Sequence, residues 1–327
     1  MIDDSPVLVS IRCAAYNHTP YIRECLDGFV MQKTTFRFEA IVHDDASTDD
    51  TAEIILEYAE KYPDIIKPIL EKENLYSKHD GSLDKILDEA CKGKFIAFCE
   101  GDDYWIDPYK LQKQVDFLES HPDYGMCYTK AKIWEKGAIN GVLGTSDTSF
   151  AGLIRCNNFP TLTKMCRKSV YEQYVDDIKP GEKKWLMGDY PMAFYFTVNS
   201  KVGFIDECSA VYRVLPESAS HSDNLDYLFR FYDSAVEISH FFVDRYISDK
   251  TERNRYLKQI KEQAIKYKIS QYLYLKKPKE ARRFYFSNRS DLDGFSRMIY
   301  NLKTTSLWMS KVIDMIKKVK DKIYEKN

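Results

Sequence analysis

The sequence contains no apolar run close to the roughly 20 residues that a membrane-crossing helix needs. Its first residues lack the basic and apolar segments of a signal peptide. It also lacks a large net charge of either sign, since 48 Lys and Arg against 50 Asp and Glu leave a formal charge of −2. Without an overall basic field, the chain as a whole is not attracted to nucleic acid. These absences argue against a membrane-spanning or nucleic-acid-binding protein.

The eight cysteines include no Cys-x-x-Cys pair. Several lie in apolar, strand-like runs, which is typical of reduced core residues rather than of a disulfide framework or a zinc site. We therefore expect a cytoplasmic protein. The sequence also lacks a repeat of solenoid length, and its 327 residues suffice for one large domain with a smaller appendage.

Three acids, Glu100, Asp102 and Asp103, follow an apolar run at residues 95–99. The run predicts a buried strand, and open α/β sheets bind ligands beyond the C-terminal ends of their strands. Carboxylates this close repel one another, so we expect a divalent cation, Mn²⁺ or Mg²⁺, with a phosphate-bearing substrate. The glycine between the first two acids is expected to permit a tight turn. The alternative is an acidic cap for the helix that begins near Pro108.

Strands and helices alternate before this cluster. Strands are predicted at residues 7–13, 38–42, 65–70 and 95–99, and helices at 21–32, 52–61 and 82–91. This alternation predicts βαβ units and a mostly parallel sheet flanked by helices, an α/β fold with its ligand at the strand C-termini. Further on, the patterns predict a helix at 108–121, a strand at 124–134, a long surface loop at 137–152, an aromatic helix from Trp185 and two short strands within 202–214.

From about Asn224 the pattern is helical, and no further strand is followed by acids. We therefore predict an α/β domain at 1–221 and a helical C-terminal region at 222–327. In residues 304–327, apolar residues recur at helical spacing among lysines. A basic amphipathic helix of this kind either lies on an anionic membrane surface or packs on the helical region with its lysines in solvent, and both alternatives stay open.

Five ordered features between about residues 5 and 221 resemble glycosyltransferase family 2, which has the GT-A fold. They are Ala15-Tyr16-Asn17, Asp44-Asp45-x-Ser47-x-Asp49, the acid cluster with Tyr104-Trp105, Gly188-Asp189-Tyr190-Pro191, and Tyr212-Arg213 followed by Ser218-x-Ser220-His221. The resemblance implies a Rossmann-like sheet and an inverting transferase that uses a divalent cation. It implies a nucleotide-diphosphate sugar as donor, which we expect to be UDP-linked. The implied acceptor is a hydroxyl of a saccharide or lipid-linked saccharide, in bacterial surface-polysaccharide synthesis.

The resemblance assigns roles to the matched acids. Asp44 and Asp45 are expected to accept hydrogen bonds from the base or ribose of the donor, unless they cap the next helix. Glu100 matches the first acid of the family's D-x-D element and is expected near the ribose. Asp102 matches the second acid and is the expected metal ligand. Asp103 is expected to orient Asp102 at the donor.

The resemblance also implies a catalytic base for the acceptor hydroxyl at Asp189, for which a helix cap is the alternative. His221 resembles a histidine that helps to hold the metal or the diphosphate, and the alternative is a solvated residue.

Four further residues are expected at the donor. Tyr16 and Asn17 follow the first strand and belong to the resemblance. Arg213 can offset phosphate charge. Many relatives carry an Arg-Asn pair on the helix before the acid cluster, which this chain lacks, and Lys78 can serve the phosphates instead from its loop.

Two other functions stay open. The first is a nucleotide-sugar-binding or assembly module that keeps the fold without turnover. Competent residues at the base, metal and diphosphate positions argue against it. The second is a nucleotidyltransferase, which needs a Gly-rich phosphate loop that residues 14–18 do not provide.

Overall fold

The computed structural model describes residues 5–215 and 224–324, and within them the side chains up to residue 315. The chain divides into two compact units after Leu215. The boundary that the sequence predicts, at residues 221–222, lies outside the described residues. No helix in the described part is both long enough and apolar enough to cross a membrane.

The first unit is a mixed sheet flanked by helices, which confirms the predicted α/β class. Its described strands are β1 (Val9–Ala15), β2 (Phe38–Asp44), β3 (Ile66–Leu70), β4 (Phe95–Phe98), β5 (Tyr104–Trp105), β6 (Tyr124–Glu135), β7 (Ala138–Leu143), β8 (Met165–Arg167) and β9 (Lys201–Val214). Its described helices are α1 (Ile22–Val30), α2 (Thr51–Lys61), α3 (Ser82–Ala90), α4 (Lys110–Ser120), α5 (Phe150–Arg155), α6 (Lys168–Ile178) and α7 (Asp189–Asn199).

The strands follow the order β3-β2-β1-β4-β8-β6-β9-β5, with β7 added to β6. Strands β3, β2, β1 and β4 are parallel, as the sequence predicts. Strand β8 is antiparallel to both β4 and β6, and β5 is antiparallel to β9. The antiparallel part was not predicted, because short strands such as β5 and β8 carry too little pattern to be recognised in the sequence.

Apolar patterning explains the parallel half. All four residues of β4 are buried, as expected for a strand covered on both faces. Helix α1 buries Cys25, Leu26 and Phe29, which lie on one side of a helix and pack into the core of this unit. A fully buried apolar side chain of this size contributes roughly 1.5–3 kcal/mol. All eight cysteines are free, as predicted, and six of them are buried.

The prediction of a long loop at residues 137–152 is wrong. Strand β7 and the start of α5 lie there, and β7 pairs antiparallel with β6. Lys136 and Gly137, between the two strands, both have a positive φ, of 51° and 85°. Two consecutive residues with positive φ are what a two-residue type I′ hairpin turn requires. The segment therefore extends the sheet.

The two short strands predicted within 202–214 are a single strand, β9, of 14 residues. Ile205 pairs with Thr129 of β6 and Cys208 pairs with Lys130, so the two residues between Ile205 and Cys208 have no partner in the ladder. These two acids interrupt the apolar pattern of the sequence, and a bulge accommodates them. Helix α7 also begins later than predicted, at Asp189.

The second unit is helical, as predicted. Its described helices are α8 (Leu225–Tyr246), α9 (Lys250–Tyr274), α10 (Pro278–Asn288), α11 (Gly294–Lys303) and α12 (Leu307–Tyr324). The side chains of Asn224, Asp249 and Asp293 accept backbone N–H groups at the starts of α8, α9 and α11. Residues of α9 and α10 form a separate core that includes Ile269 and Tyr285.

Candidate active site

The C-terminal ends of β1, β2 and β4 meet at one edge of the sheet, where hydrogen bonds join the loops that follow them. Ala15 lies opposite Asp44 in the parallel register of β1 and β2. The amide of Asp45 donates to the carbonyl of Ala15 at 2.9 Å, and the amide of Gly101 donates to the carbonyl of Ala14 at 2.9 Å. The three loops that carry the predicted donor and metal residues are therefore neighbours.

Asp44 and Asp45 are both buried, but their carboxylates have different partners. The Asp45 carboxylate accepts the amides of Leu75 and Tyr76, at 2.7 and 3.0 Å. Asp44 accepts the amide of Ser47 through Oδ2 at 3.0 Å. Its Oδ1 is buried and has no hydrogen-bond partner among the described residues. Asp45 therefore supports the neighbouring loop, whereas Asp44 keeps one acceptor for a ligand.

Tyr16 and Asn17 follow β1 at the same edge. The Asn17 side-chain oxygen accepts the backbone N–H of Thr48 at 2.8 Å, and the backbone N–H of Asn17 donates to the hydroxyl of Ser47 at 2.9 Å. Asn17 has a left-handed φ of 54°, which asparagine tolerates better than most residues. Asn17 thus fixes the loop after β2, while the Tyr16 ring remains 44% exposed and accessible to a ligand.

Lys78 lies in the loop after β3, where its Nζ is 2.7 Å from the carboxylate of Glu73. Both side chains are substantially exposed. An ion pair in solvent contributes little to stability, about 1 kcal/mol or less. Lys78 can therefore exchange this carboxylate for a ligand phosphate at small cost.

The acid cluster forms a turn directly after β4, in which the amide of Asp103 donates to the carbonyl of Glu100 at 3.1 Å. The Asp103 carboxylate is buried and accepts the amide of Arg213 at 2.8 Å. Asp102 is half-buried, and Glu100 is exposed. Asp103 therefore connects the turn to β9 and leaves Asp102 and Glu100 at the surface of the site.

Gly101 is needed at this turn because of the space around it. The predicted turn is present, but Gly101 has no positive φ, so the turn does not depend on the conformational freedom of glycine. A Cβ at this position would lie 2.9 Å from the Cβ of Ala15, 2.9 Å from Nδ1 of His18 and 3.0 Å from Cδ1 of Ile22. Any side chain here would push the acid turn away from β1 and α1.

The guanidinium of Arg213 contacts protein groups behind the acid turn. It donates to the main-chain carbonyl of Asp102, forms an ion pair with Glu24 and lies 4.3 Å from the centre of the Tyr104 ring. The side chain is only 4% exposed. Sequence analysis assigned Arg213 to the donor phosphates, but in this arrangement it holds the main chain of the metal-ligand candidate.

Crowding of the carboxylates changes their proton affinities. Two effects raise the pKa of Glu100 to about 7. The larger is desolvation of its carboxylate by the surrounding protein, and the second is the negative charge of Asp102. Glu100 nevertheless keeps a surface open to solvent. Burial, followed by the charge of Asp102, raises the pKa of Asp103 well above its ordinary value. The turn thus concentrates negative charge where a cation would be favoured.

Asp189 is the first residue of α7. Its carboxylate accepts the side-chain amide of Asn157 at 2.7 Å and the hydroxyl of Thr161 at 3.4 Å. The buried Lys164 donates to the Asp189 carbonyl at 3.2 Å. Burial lowers the pKa of Lys164, and the charges of Asp189 and Glu100 oppose that shift. The Lys164 carbonyl also accepts the amide of Phe98, the last residue of β4, at 3.1 Å. Lys164 therefore links Asp189 to the strand that ends at the acid cluster.

Sequence analysis did not single out Asn157, Thr161 or Lys164. They lie in a segment without a charge cluster or a recognisable motif, so no local signal identified them. Trp105 connects this segment to the acid cluster, because its Nε1 donates to the carbonyl of Leu162 at 2.7 Å.

The residues present fit a divalent cation that is completed by its substrate. Among the described residues, no group of three or more His, Cys, Asp or Glu forms a ready metal cage. His221 lies outside the described residues. Mg²⁺ is usually held by one or two carboxylates together with substrate phosphates, and Asp102 and Glu100 provide that number. A cation would also relieve the repulsion by Asp102, which after desolvation is the second cause of the raised pKa of Glu100.

Comparisons with known proteins were made for sequence and for fold. The family model described as "Glycosyl transferase family 2" matches residues 10–173, half of the chain. An uncharacterised protein of Mycobacterium bovis is 36% identical over 224 residues, which are 67% of this chain and 62% of that relative. The chain therefore spans less than two thirds of the length of the curated relative.

Two named glycosyltransferases are also similar to this chain. The UDP-Glc:alpha-D-GlcNAc-diphosphoundecaprenol beta-1,3-glucosyltransferase WfaP of Escherichia coli is 31% identical over 152 residues, 46% of this chain and 57% of WfaP. The crystal structure of S. aureus TarS 1–349 in complex with UDP-GlcNAc aligns with a TM-score of 0.59 at 15% identity, covering 91% of this chain and 90% of that one. At that identity the likeness concerns the fold.

Proposed function

Because the chain belongs to glycosyltransferase family 2, we propose that it transfers a sugar from a nucleotide-diphosphate sugar to an acceptor hydroxyl with inversion at the anomeric carbon. The observation that carries the proposal is the position of Lys164, whose carbonyl accepts the amide of Phe98 at the end of β4 at 3.1 Å and whose Nζ donates to the Asp189 carbonyl at 3.2 Å. Such a transfer needs a base for the acceptor hydroxyl and stabilisation of the departing diphosphate, and Asp189 and the acid turn after β4 can provide them.

Asp44 and Tyr16 form the centre of the proposed donor site. The unpartnered Oδ1 of Asp44 accepts an N–H of the base or a hydroxyl of the ribose, since a buried acceptor without a partner is costly. The exposed Tyr16 ring provides a surface on which a base can stack. Asn17 and Asp45 hold the loops around this site, and Lys78 attracts the phosphates.

Asp102 is the proposed metal ligand, with Glu100 beside it and Asp103 behind it. A divalent cation held there offsets the charge that develops on the departing diphosphate. Arg213 keeps Asp102 in place through its main-chain carbonyl. His221 stays a proposed ligand on sequence grounds alone.

Asp189 is the proposed catalytic base. Its carboxylate takes the proton of the acceptor hydroxyl as the hydroxyl oxygen forms a bond to the anomeric carbon. The bond between that carbon and the diphosphate oxygen breaks on the opposite side, and the electron pair leaves with the nucleoside diphosphate. Asn157 and Thr161 orient the carboxylate through their hydrogen bonds to it.

The similarity to WfaP, which is named for a UDP-Glc donor and a diphosphoundecaprenol acceptor, supports a UDP-linked donor and a lipid-linked acceptor. The UDP-GlcNAc complex of TarS has the same fold and supports the same donor class. We therefore place the proposed transfer in surface-polysaccharide synthesis.

The test is a panel of UDP- and GDP-sugars incubated with the protein and saccharide acceptors, with Mn²⁺, with Mg²⁺ and with excess chelator. We expect a nucleoside diphosphate to be released, and chelator to abolish the release. Release of pyrophosphate would indicate a nucleotidyltransferase instead. Full activity in chelator would refute the metal role of Asp102.

The substitution Asp189→Asn tests whether the chain is an enzyme or a binding module. The amide is nearly isosteric but cannot accept the acceptor's proton, so we expect turnover to fall by about 10²-fold or more with donor affinity little changed. Asp176→Asn, an acid on α6 without an assigned role, is the control. Loss of donor binding together with turnover would show that Asp189 is a donor-site or structural residue.

A further inference from the structure

Helix α11 packs on the helical unit with one side and exposes large apolar side chains on the other. Its inner side contributes the buried Ser296 and the partly buried Tyr300, which packs against the core of the helical unit. Its outer side carries Phe295, Met298 and Leu302, which are 70%, 54% and 41% exposed. Their i, i+3, i+7 spacing places them in one stripe along the helix. Core packing within the unit leaves this stripe uncovered.

Helix α12 has a similar outer side. Leu307 packs against the core of the unit and Ser310 is buried, so the helix is held by that side. Trp308 and Met315, seven residues apart, are 69% and 59% exposed. A helix that only covered the core would turn its largest apolar residues inward. In the described part of α12, Trp308 and Met315 face outward instead.

The net charge of residues 294–327 indicates which kind of partner covers the exposed apolar residues of α11 and α12. Residues 294–327 contain eight Lys and Arg and three Asp and Glu, a net charge of +5. The whole chain has a net charge of −2, so the preceding 293 residues carry a net charge of −7. Among the described basic residues, Lys311 lies exposed on α12 between Trp308 and Met315. Exposed large apolar side chains next to basic ones fit an anionic lipid surface, which takes up the apolar groups and attracts the charges.

We propose that α11 and α12 form a peripheral membrane-binding surface for anionic phospholipid, with the Phe295, Met298, Leu302, Trp308 and Met315 side chains entering the interface. The residues of this surface belong to the second unit, whereas the described residues of the proposed transfer site belong to the first. The same surface of a second copy, which carries the same positive charge, would repel this one, whereas an anionic bilayer attracts it.

Flotation of the full chain with vesicles of phosphatidylglycerol and phosphatidylcholine, compared with phosphatidylcholine alone, tests the proposal. We expect binding to the anionic vesicles only, weakened at about 1 M salt, where charges are screened within about 3 Å. Equal binding to both vesicle types, or none to either, would overturn it. No donor sugar is present, so the result does not depend on the proposed transfer.

Substitutions locate the surface. Phe295→Ser with Met298→Ser should lower the vesicle-bound fraction by roughly tenfold or more, since two apolar side chains no longer enter the interface. The matched control is Ile139→Ser with Val142→Ser on β7, where both residues are exposed to a similar degree, 50% and 53%. Circular dichroism of both variants checks that the helices persist. Equal loss in the two double variants would overturn the proposal.

A charge substitution completes the test. Lys311→Glu should weaken flotation, whereas Lys85→Glu on α3, which is equally at the surface, should not. Light scattering reports whether the chain self-associates through this surface. If the Phe295 and Met298 substitutions dissociated an oligomer and left flotation unchanged, the surface would be a protein interface and the proposal would be wrong.

Discussion

Two adjacent aspartates at the end of β2 differ in what their carboxylates contact. Asp45 uses both oxygens to hold the amides of Leu75 and Tyr76, whereas Asp44 Oδ1 has no partner in the part of the chain that the structure describes. The sequence assigns both to the donor. Their contacts instead separate a residue that shapes the loop from one that is positioned for a ligand.

We expect Asp44→Asn to lower the affinity for UDP and Asp45→Asn to lower the stability of the fold. Asp44→Asn can keep its bond to Ser47 but no longer presents a charged acceptor, so the affinity for UDP should fall about tenfold or more with little change in stability. Asp45→Asn places an NH₂ against a backbone N–H and should lower the free energy of unfolding by about 1–3 kcal/mol. Calorimetric UDP titration and thermal unfolding of both variants measure this. Equal effects of the two changes would contradict the assignment.

Lys110 is a buried cation that has no carboxylate partner within hydrogen-bonding distance among the described residues. Its Nζ donates to the side-chain oxygen of Gln114 at 2.7 Å and lies 4.1 Å from the centre of the Trp105 ring. Burial lowers its pKa from 10.5 to about 8, and the nearby thiols and Asp107 only partly oppose the shift. Between those two values the unfolded chain binds a proton that the folded chain has released, so stability rises with pH in this window.

Lys110→Met should remove that dependence. The free energy of unfolding of the native chain should increase between about pH 7 and about pH 9.5 by more than that of the variant, because only the native chain releases the Lys110 proton on folding there. Urea unfolding at both pH values provides the comparison. Lys113→Met on the same helix is the control, since Lys113 is half-exposed and paired with Asp107. Identical pH dependence in native and Lys110→Met proteins would show that Lys110 does not titrate in this window.

The acid turn after β4 is positioned by the packing of whole elements. Gly101 lies where β1 and α1 leave no room for a Cβ, and Arg213 of β9 holds the turn from behind. Gly188, before α7, has open space around it and an ordinary φ of −95°. These two glycines on the same site therefore differ in what a methyl group would meet.

We expect Gly101→Ala to lower the free energy of unfolding by about 1–3 kcal/mol, because the added methyl group overlaps with Ala15, His18 and Ile22. The displaced turn should also weaken metal-dependent donor binding. Gly188→Ala should leave both properties nearly unchanged. Thermal unfolding and donor titration with and without Mn²⁺ distinguish the variants, and a fully tolerated Gly101→Ala would show that the turn has space to move.

At the scale of the whole molecule, each unit has a hydrophobic core of its own. The core of the first unit is built from residues between Val9 and Ala210, and the core described in the second unit from residues between Ile265 and Leu292. All the described candidate site residues belong to the first unit. We therefore propose that this unit, with residues up to 221, is the catalytic domain.

A fragment of residues 1–221 should unfold cooperatively and bind UDP with nearly the affinity of the full chain, because its core and donor site are self-contained. A fragment of residues 222–327 should remain helical without binding UDP. Circular dichroism and calorimetry measure both. If only the full chain bound UDP, the donor site would require the helical region.

Local signals in the sequence determined much of this protein. Alternating apolar runs predicted the parallel strands, and the acids after the apolar run at residues 95–99 predicted an acid turn at the sheet edge, since both depend on residues close together in the chain. The hairpin at Lys136 and Gly137 was missed, because a lysine at positive φ is an unusual choice for such a turn.

Only the tertiary structure decided how the site is held. Asp189 is bound by Asn157, 32 residues away, and Asp103 by Arg213, 110 residues away. Contacts between residues so far apart leave no periodic pattern in one sequence. The same applies to the unpartnered oxygen of Asp44 and to the outward side of α12, which depend on what the folded chain leaves uncovered. The sequence by itself therefore determined which chemical groups are available, and long-range packing decided which of them face a ligand.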